Sequence, residues 1–232
     1  MFIKTPRSIS IVIPCHNEEA AIAPVMEKIA EVRSRVPELR EVIVVNDGST
    51  DRSPQILKQY TDIEVLNSKK CLGYGGALKL GFQHASSDLI IFLDMDDTYD
   101  IRQLPEMLQQ FEQQSLDVLF GNRLSNQNGM PWVRRFGNNL YYYCLKVMGF
   151  PHIGDPCTGM RLFKSHLKDE FCGVSQNDLS YSMALTLLII NGRMKFAEMP
   201  IYYYERAGES KLNPLSDGVK FFWAILRHRL LA

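Results

Sequence analysis

Short apolar runs alternate with amphipathic stretches along the first half of this chain. Residues 9–14 (Ile-Ser-Ile-Val-Ile-Pro) are rich in β-branched side chains and stop at Pro14. Residues 20–36 carry apolar side chains at helical spacing, and residues 42–45 form a second apolar run that ends at Asn46-Asp47-Gly48-Ser49. A helical stretch starts near Asp51, a third run covers 63–66, helix is predicted over 77–84, and 89–93 reads as a buried strand ending in carboxylates. Continuous apolar strands alternating with helices predict an α/β fold with a mostly parallel sheet and helices on both faces.

The first 120 residues therefore read as a Rossmann-like nucleotide-binding half. Ligands of such sheets sit beyond the carboxyl ends of the strands, which places residues 14–18, 46–51 and 94–97 along one crevice. The second half is less regular. Strands are predicted at 118–121 and 160–163, helices at 140–148 and 179–190, an extended stretch at 195–203 and an amphipathic helix at 217–231. No repeat, low-complexity tract or long linker divides the chain, so one domain is expected over 1–232.

Composition changes this picture little. Apolar residues make up 46% of the 232, enough for a substantial core. Lys plus Arg equals Asp plus Glu at 26 each, so net charge predicts no nucleic-acid partner. The five cysteines show no metal or disulfide spacing and read as reduced thiols of a cytoplasmic protein. Residues 1–7 contain no apolar core of a signal peptide. The longest apolar run outside the strands, 185–190, falls far short of the roughly 20 residues that span a bilayer. The expectation is a soluble chain or one bound to a membrane surface.

Three segments carry chemistry. In Leu93-Asp94-Met95-Asp96-Asp97, carboxylates at i and i+2 after an apolar strand can both reach one hard cation. Mg²⁺ or Mn²⁺ shares the rest of its octahedron with diphosphate and water. A lone D-x-D is more often a solvated acidic turn; three acids after a buried strand favour the metal. Asn46-Asp47-Gly48-Ser49-Thr50-Asp51 reads as a turn with a helix cap, and Asp47 is placed at the strand end to bond a base or ribose. Arg206-Ala207-Gly208-Glu209-Ser210-Lys211-Leu212 holds two cations, a glycine and a hydroxyl, and could close on a leaving diphosphate. Gly73-Tyr74-Gly75-Gly76 has residues small enough for close backbone approach to a ligand, but lacks the dinucleotide spacing.

Together these motifs resemble family 2 of the glycosyltransferases and, within it, the dolichol-phosphate (polyprenyl-phosphate) mannosyltransferase-like group. The matching pieces are Ile13-Pro14-Cys15-His16-Asn17-Glu18-Glu19, Val45-Asn46-Asp47-Gly48-Ser49-Thr50-Asp51, 73–77 with Gly81, and 92–96. Gly121-Asn122-Arg123, 155–163, Pro200-Ile201 and the 206–212 loop complete them. The resemblance implies a GT-A fold with a nucleotide-binding half (1–120), an acceptor half (121–215) and a C-terminal helix (216–232). It implies Pro14, Glu18 and Asp47 at the nucleoside, with His16 in the same donor-binding set. It implies Asp94 and Asp96 at the metal and diphosphate, and Arg123, Arg206 and Lys211 at phosphates with Ser210 beside them. Asp155 stands in the position beside the sugar and acceptor. Asp155, Asp96, Arg206 and Lys211 form the implied catalytic set. The chain departs from the group at Asn46 (usually aspartate), Cys71 (often asparagine) and Thr98 (often glutamine). Many relatives also continue into transmembrane helices.

The chemistry expected is an inverting, metal-assisted single displacement of a hexose from a nucleotide-diphosphate sugar onto a polyprenyl phosphate. An acceptor phosphate is already an anion near neutral pH, whereas a sugar hydroxyl needs a base, for which Asp155 is the candidate. Transfer to a glycan or soluble hydroxyl, and a non-catalytic nucleotide-sugar-binding subunit, remain alternatives. The donor's sugar and base, the role of Asp178, a membrane-protein partner and a homo-oligomer are left open. Residues 219, 222, 225 and 226 of the last helix read either as a face packed on the domain's own core or, with 140–148, as a peripheral contact with the cytoplasmic face of a membrane.

Overall fold

A computed structural model of the protein describes residues 7–124, 132–150, 153–192 and 194–207, excluding the side chains of 132–138. Seven strands form one sheet in the order β3-β2-β1-β4-β6-β5-β7. The strands are β1 (Ile9–Cys15), β2 (Leu39–Asp47), β3 (Glu64–Ser68), β4 (Leu89–Phe92), β5 (Val118–Asn122), β6 (Arg161–Lys164) and β7 (Phe196–Pro200). β1 pairs in parallel with β2 and β4, β2 with β3, and β5 with β7; β6 alone runs antiparallel, between β4 and β5.

Among the described residues seven α-helices accompany the strands: α1 (Ile22–Arg35), α2 (Ser53–Leu57), α3 (Tyr74–His84), α4 (Leu104–Gln113), α5 (Trp132–Val147), α6 (Lys168–Cys172) and α7 (Tyr181–Asn191). The central strands are buried on both faces, because alternate side chains of each enter different cores. Ile9, Ile11 and Ile13 pack with Ile22, Val25 and Ile29 of α1 and Leu104, Met107 and Phe111 of α4. Val12, Ile43 and Val45 pack with Ala77, Leu78 and Phe82 of α3 and with Met183, Leu185 and Leu187 of α7. At the centre of α3, Gly81 lets the helix lie directly on β1, since a Cβ there would sit 2.3 Å from Val12 Cγ1.

Every predicted strand forms, and the sequence pattern missed α4 and α6 outright. Pro105 in the first turn of α4 obscured a stripe (Leu104, Met107, Phe111) that is helical in spacing. The helix predicted at 140–148 begins at Trp132. The predicted helix 217–231 lies outside the described residues. Among the described residues, no helix is long and apolar enough to cross a membrane.

Candidate active site

The carboxyl ends of β1, β2 and β4 open on one edge of the sheet, where the loops 14–18, 46–51 and 93–100 meet. Asn17 joins the first two. It sits at φ 51°, a left-handed conformation that asparagine tolerates better than most residues. Its Oδ1 accepts from Thr50 N–H at 2.7 Å and Asp51 N–H at 3.3 Å, while its own N–H donates to Ser49 Oγ at 3.0 Å. His16 donates from Nδ1 to the Asp47 carbonyl at 2.6 Å. Pro14, one residue before the end of β1, pairs with Val45 and is partly exposed.

Asp47 is turned inward. Its oxygens accept from Leu72 N–H (2.6 Å), Gly73 N–H (2.9 Å) and the Cys71 thiol (3.4 Å), and it is 3% exposed. The carboxylate fixes the turn before α3 and so holds the wall of the crevice at the place where a base or ribose was expected. The glycines of that turn also pack on protein. A Cβ on Gly75 would meet Tyr181 Cβ at 2.6 Å, and one on Gly76 would meet Leu72 Cβ at 2.9 Å. Their smallness serves the seating of α3, not the approach of a ligand.

Asp94 and Asp96 follow β4 as predicted. Asp96 Oδ1 accepts from Thr98 Oγ1 (2.6 Å) and Thr98 N–H (3.2 Å), and its Oδ2 accepts from Arg206 Nη1 (2.8 Å). Arg206 Nη2 reaches Glu18. The sequence placed Glu18 at the nucleoside and Arg206 at phosphates; the fold brings both onto the Asp96 cluster. Asp94 Oδ1 is buried without a hydrogen-bond partner among the described residues, beside a Tyr74 hydroxyl in the same situation. Burial first, then the charge of Asp96, push the Asp94 carboxyl up to about 7, against the opposing influence of Tyr74, Arg123 and Arg206. Gly159 makes room for it, because a Cβ there would lie 2.4 Å from Asp94 Oδ2.

This donor set fits a hard divalent cation. It offers only oxygen, and Asp94 Oδ1 is buried with no hydrogen-bond partner among the described residues. Among the described residues no group of three or more His, Cys, Asp or Glu gathers for a metal. Asp94 and Asp96 alone would leave most of an octahedron to diphosphate and water. The third acid, Asp97, stands at φ 61° with Oδ1 2.6 Å from Lys28 Nζ, so it is engaged elsewhere.

Asp155 is fully buried and bound twice by one guanidinium: Arg123 Nε donates to Oδ2 at 2.7 Å and Nη2 to Oδ1 at 2.8 Å, and Arg123 N–H adds 3.0 Å to Oδ2. Arg123 in turn lies over the rings of Tyr99 and Tyr203. The residue expected as a base and the residue expected at a phosphate thus pair with one another here, both Asp155 oxygens accepting from Arg123.

Glu198, which sequence reasoning missed, supports this pair by accepting from Gly154 N–H (2.7 Å), Asp155 N–H (2.8 Å) and Asn122 Nδ2 (3.1 Å). A glutamate amid the apolar residues of a strand was the available signal. Arg161 was also missed. It is fully buried, donates to the carbonyls of Thr158, Pro156 and Ser182, and lies 4.7 Å from the Phe120 centroid. Burial, then Asp155, push the Cys157 thiol up to about 12, which leaves it a poor nucleophile. Asp178 accepts from Ser180 N–H and Oγ at the start of α7. Ser210 and Lys211 lie outside the described residues.

A crevice with acidic strand ends, on a sheet with one antiparallel strand, defines a GT-A-type glycosyltransferase. Residues 10–171 match the profile of Glycosyl transferase family 2, and the chain belongs to that family. Among its relatives is a "Dolichyl-phosphate hexose transferase" of Haloferax volcanii, 29% identical over 94% of this chain and 92% of the relative. The "Low-salt glycan biosynthesis hexosyltransferase Agl6" of the same organism is 30% identical over 97% of this chain and 53% of its own length. The resemblance to the polyprenyl-phosphate group thus holds. In fold, glucosyl-3-phosphoglycerate synthase of Mycobacterium tuberculosis, solved with Mn²⁺, uridine diphosphate and phosphoglyceric acid, superposes with a TM-score of 0.72 at 20% identity. It covers 96% of this chain and 78% of that one. Mannosyl-3-phosphoglycerate synthase of Rubrobacter xylanophilus gives 0.72 at 18% identity, covering 96% and 72%.

Proposed function

We propose that this family 2 enzyme is an inverting hexosyltransferase that moves a hexose from a nucleotide-diphosphate sugar to a polyprenyl phosphate, assisted by Mg²⁺ or Mn²⁺. The observation that carries the reading is the cluster of Asp94, Asp96, Glu18 and Arg206 at the carboxyl ends of β1 and β4. Asp94 and Asp96 would hold the cation, which when bound neutralises charge on the departing diphosphate. Pro14, His16, Glu18 and the wall fixed by Asp47 line the nucleoside end. Arg206, with Ser210 and Lys211, supplies donors to the diphosphate oxygens. The names of the two Haloferax relatives support a hexose and, for one, a dolichyl phosphate. The Mn²⁺ and uridine diphosphate bound by the mycobacterial synthase support the donor and metal class.

The state of Asp155 favours a phosphate acceptor over a hydroxyl. Its two oxygens accept from Arg123, which disfavours Asp155 in the base role that the sequence offered for a hydroxyl. A phosphate monoester, with a second pKa of about 6, arrives as an anion and requires none. Asp155 and Arg123 then act as positioning residues for the acceptor side.

The test is a panel of GDP-mannose, UDP-glucose and UDP-N-acetylglucosamine with a polyprenyl phosphate and Mg²⁺ or Mn²⁺. Transfer from one donor is expected, lost in chelator and in Asp94→Ala or Asp96→Ala at an unchanged melting temperature. Full activity in chelator with both residues replaced would remove the metal from the reading. Preferential transfer to a free sugar hydroxyl would replace the acceptor.

A further inference from the structure

Residues 201–207 lie antiparallel to the acidic loop after β4. Tyr204 N–H donates to Thr98 O at 3.0 Å, Ala207 N–H donates to Asp96 O at 3.1 Å, and Tyr99 and Tyr203 form a bridge between the two strands of chain. Side chains reinforce the pairing. The Tyr99 and Tyr203 rings pack edge to face at 5.9 Å, and the Tyr204 hydroxyl donates to Asp100 at 3.1 Å. The Lys28 ammonium lies 5.0 Å over the Tyr204 ring while it pairs with Asp97. The segment that begins the basic loop and the loop that carries the metal carboxylates are therefore one mechanical unit.

That zipper delivers Arg206 onto Asp96 and Glu18, with side-chain exposures of only 17%, 8% and 10%. Asp96 Oδ1 is taken by Thr98 and its Oδ2 by Arg206. We infer that Arg206 is a resident counter-ion: without donor it occupies the carboxylate oxygen of Asp96 that a divalent cation takes in the donor complex, and it exchanges onto the diphosphate when donor and metal arrive together. The inference rests on the donor and metal reading above.

The physical ground is exclusion. A guanidinium and a divalent cation on the same oxygen would stand a few ångströms apart and repel one another, the more so in a partly buried site. An incoming diphosphate removes the conflict because it offers Arg206 new acceptors and shares ligation of the metal. Metal and nucleoside diphosphate thus bind cooperatively, and by linkage each raises the affinity of the other. Metal alone meets a site that already holds a cation. Arg206 in this picture serves twice, satisfying buried carboxylates in the resting enzyme and gripping the leaving group in the working one.

Mn²⁺ alone, titrated into the full-length protein and followed by the electron paramagnetic resonance of free Mn²⁺, tests this without turnover. Arg206→Gln is expected to bind Mn²⁺ alone on the order of tenfold more tightly than wild type, whereas Arg206→Lys, which keeps the charge, stays near wild type. Adding GDP or UDP is expected to raise Mn²⁺ affinity more in wild type than in Arg206→Gln. Arg35→Gln, which removes the same charge from an exposed pair with Glu31, gauges the general electrostatic effect and is expected to change Mn²⁺ affinity little. Equal or weaker Mn²⁺ binding by Arg206→Gln, or an equal gain in Arg35→Gln, overturns the counter-ion while leaving the donor reading intact. Mn²⁺ uptake by no variant, with or without nucleoside diphosphate, overturns both.

Discussion

Arg123 and Asp155 illustrate how much a single residue's meaning depends on its partner. Each would be a plausible reactive group alone: a cation for phosphate, a carboxylate for a hydroxyl proton. Brought within 2.7 Å and shut away from water, they neutralise one another and become a fixed strut. Removing one side strands the other as a buried charge, which costs about 3–5 kcal/mol. Arg123→Met is accordingly expected to lower unfolding stability by that amount in urea titration. The double variant Arg123→Met, Asp155→Leu should recover much of it, because both charges are gone. A double variant no more stable than the single would mean that the pair contributes more than its own neutralisation.

At the scale of elements, the start of β1, the start of β2 and the turn before β4 are tied by one carboxylate. Glu41 accepts from Ser10 Oγ, from Ser86 N–H and Oγ, and from Ser87 Oγ. Burial alone would raise its pKa, but the serine hydrogen bonds outweigh it and leave it lowered. A group with a depressed folded pKa stabilises the fold above its unfolded value of about 4.3, and that contribution is lost as pH falls through the folded pKa. Glu41→Gln is therefore expected to cost stability at pH 7, with the difference from wild type shrinking below about pH 4. Thermal melts between pH 3 and 7 measure it; a difference independent of pH would assign the cost to geometry instead of charge. Strand edges of this kind were legible as apolar runs, while the carboxylate that joins them was not. Nothing local marks Glu41 as different from Glu38.

For the whole molecule, the polyprenyl-phosphate acceptor proposed above would keep its tail in lipid, so the cleft at the strand ends would have to come to it. Leu140, Tyr143 and Val147 lie at i, i+3 and i+7 on α5, and are 51%, 59% and 86% exposed, an apolar stripe open to solvent. Residues 217–232 carry Lys220, Arg227, His228 and Arg229 among apolar positions, a composition suited to an anionic interface. We propose that these two segments bring the enzyme to the membrane surface. The full-length chain is expected to co-sediment with anionic liposomes, and deletion of 217–232 to weaken this. Transfer to a lipid-embedded acceptor should then fall more than donor hydrolysis does. Absence of liposome binding would favour a helix packed on the domain itself.

Much of the architecture was settled by sequence alone, because burial leaves a local imprint. A strand covered on both faces must be apolar at every position, and the carboxylates that follow one mark the edge where ligands gather. Hence the seven strands, the crevice and the Asp94–Asp96 pair were all readable without coordinates. The pairings inside the crevice were not. Asp155 meets Arg123 across 32 residues and Glu18 meets Arg206 across 188, distances over which no periodicity survives. Those meetings depend on β6 entering antiparallel between β4 and β5 and on residues 201–207 pairing with the loop at 96–100. Charge type can be read from a residue, but which opposite charge it finds, and whether either stays available for chemistry, follows only from strand order and register.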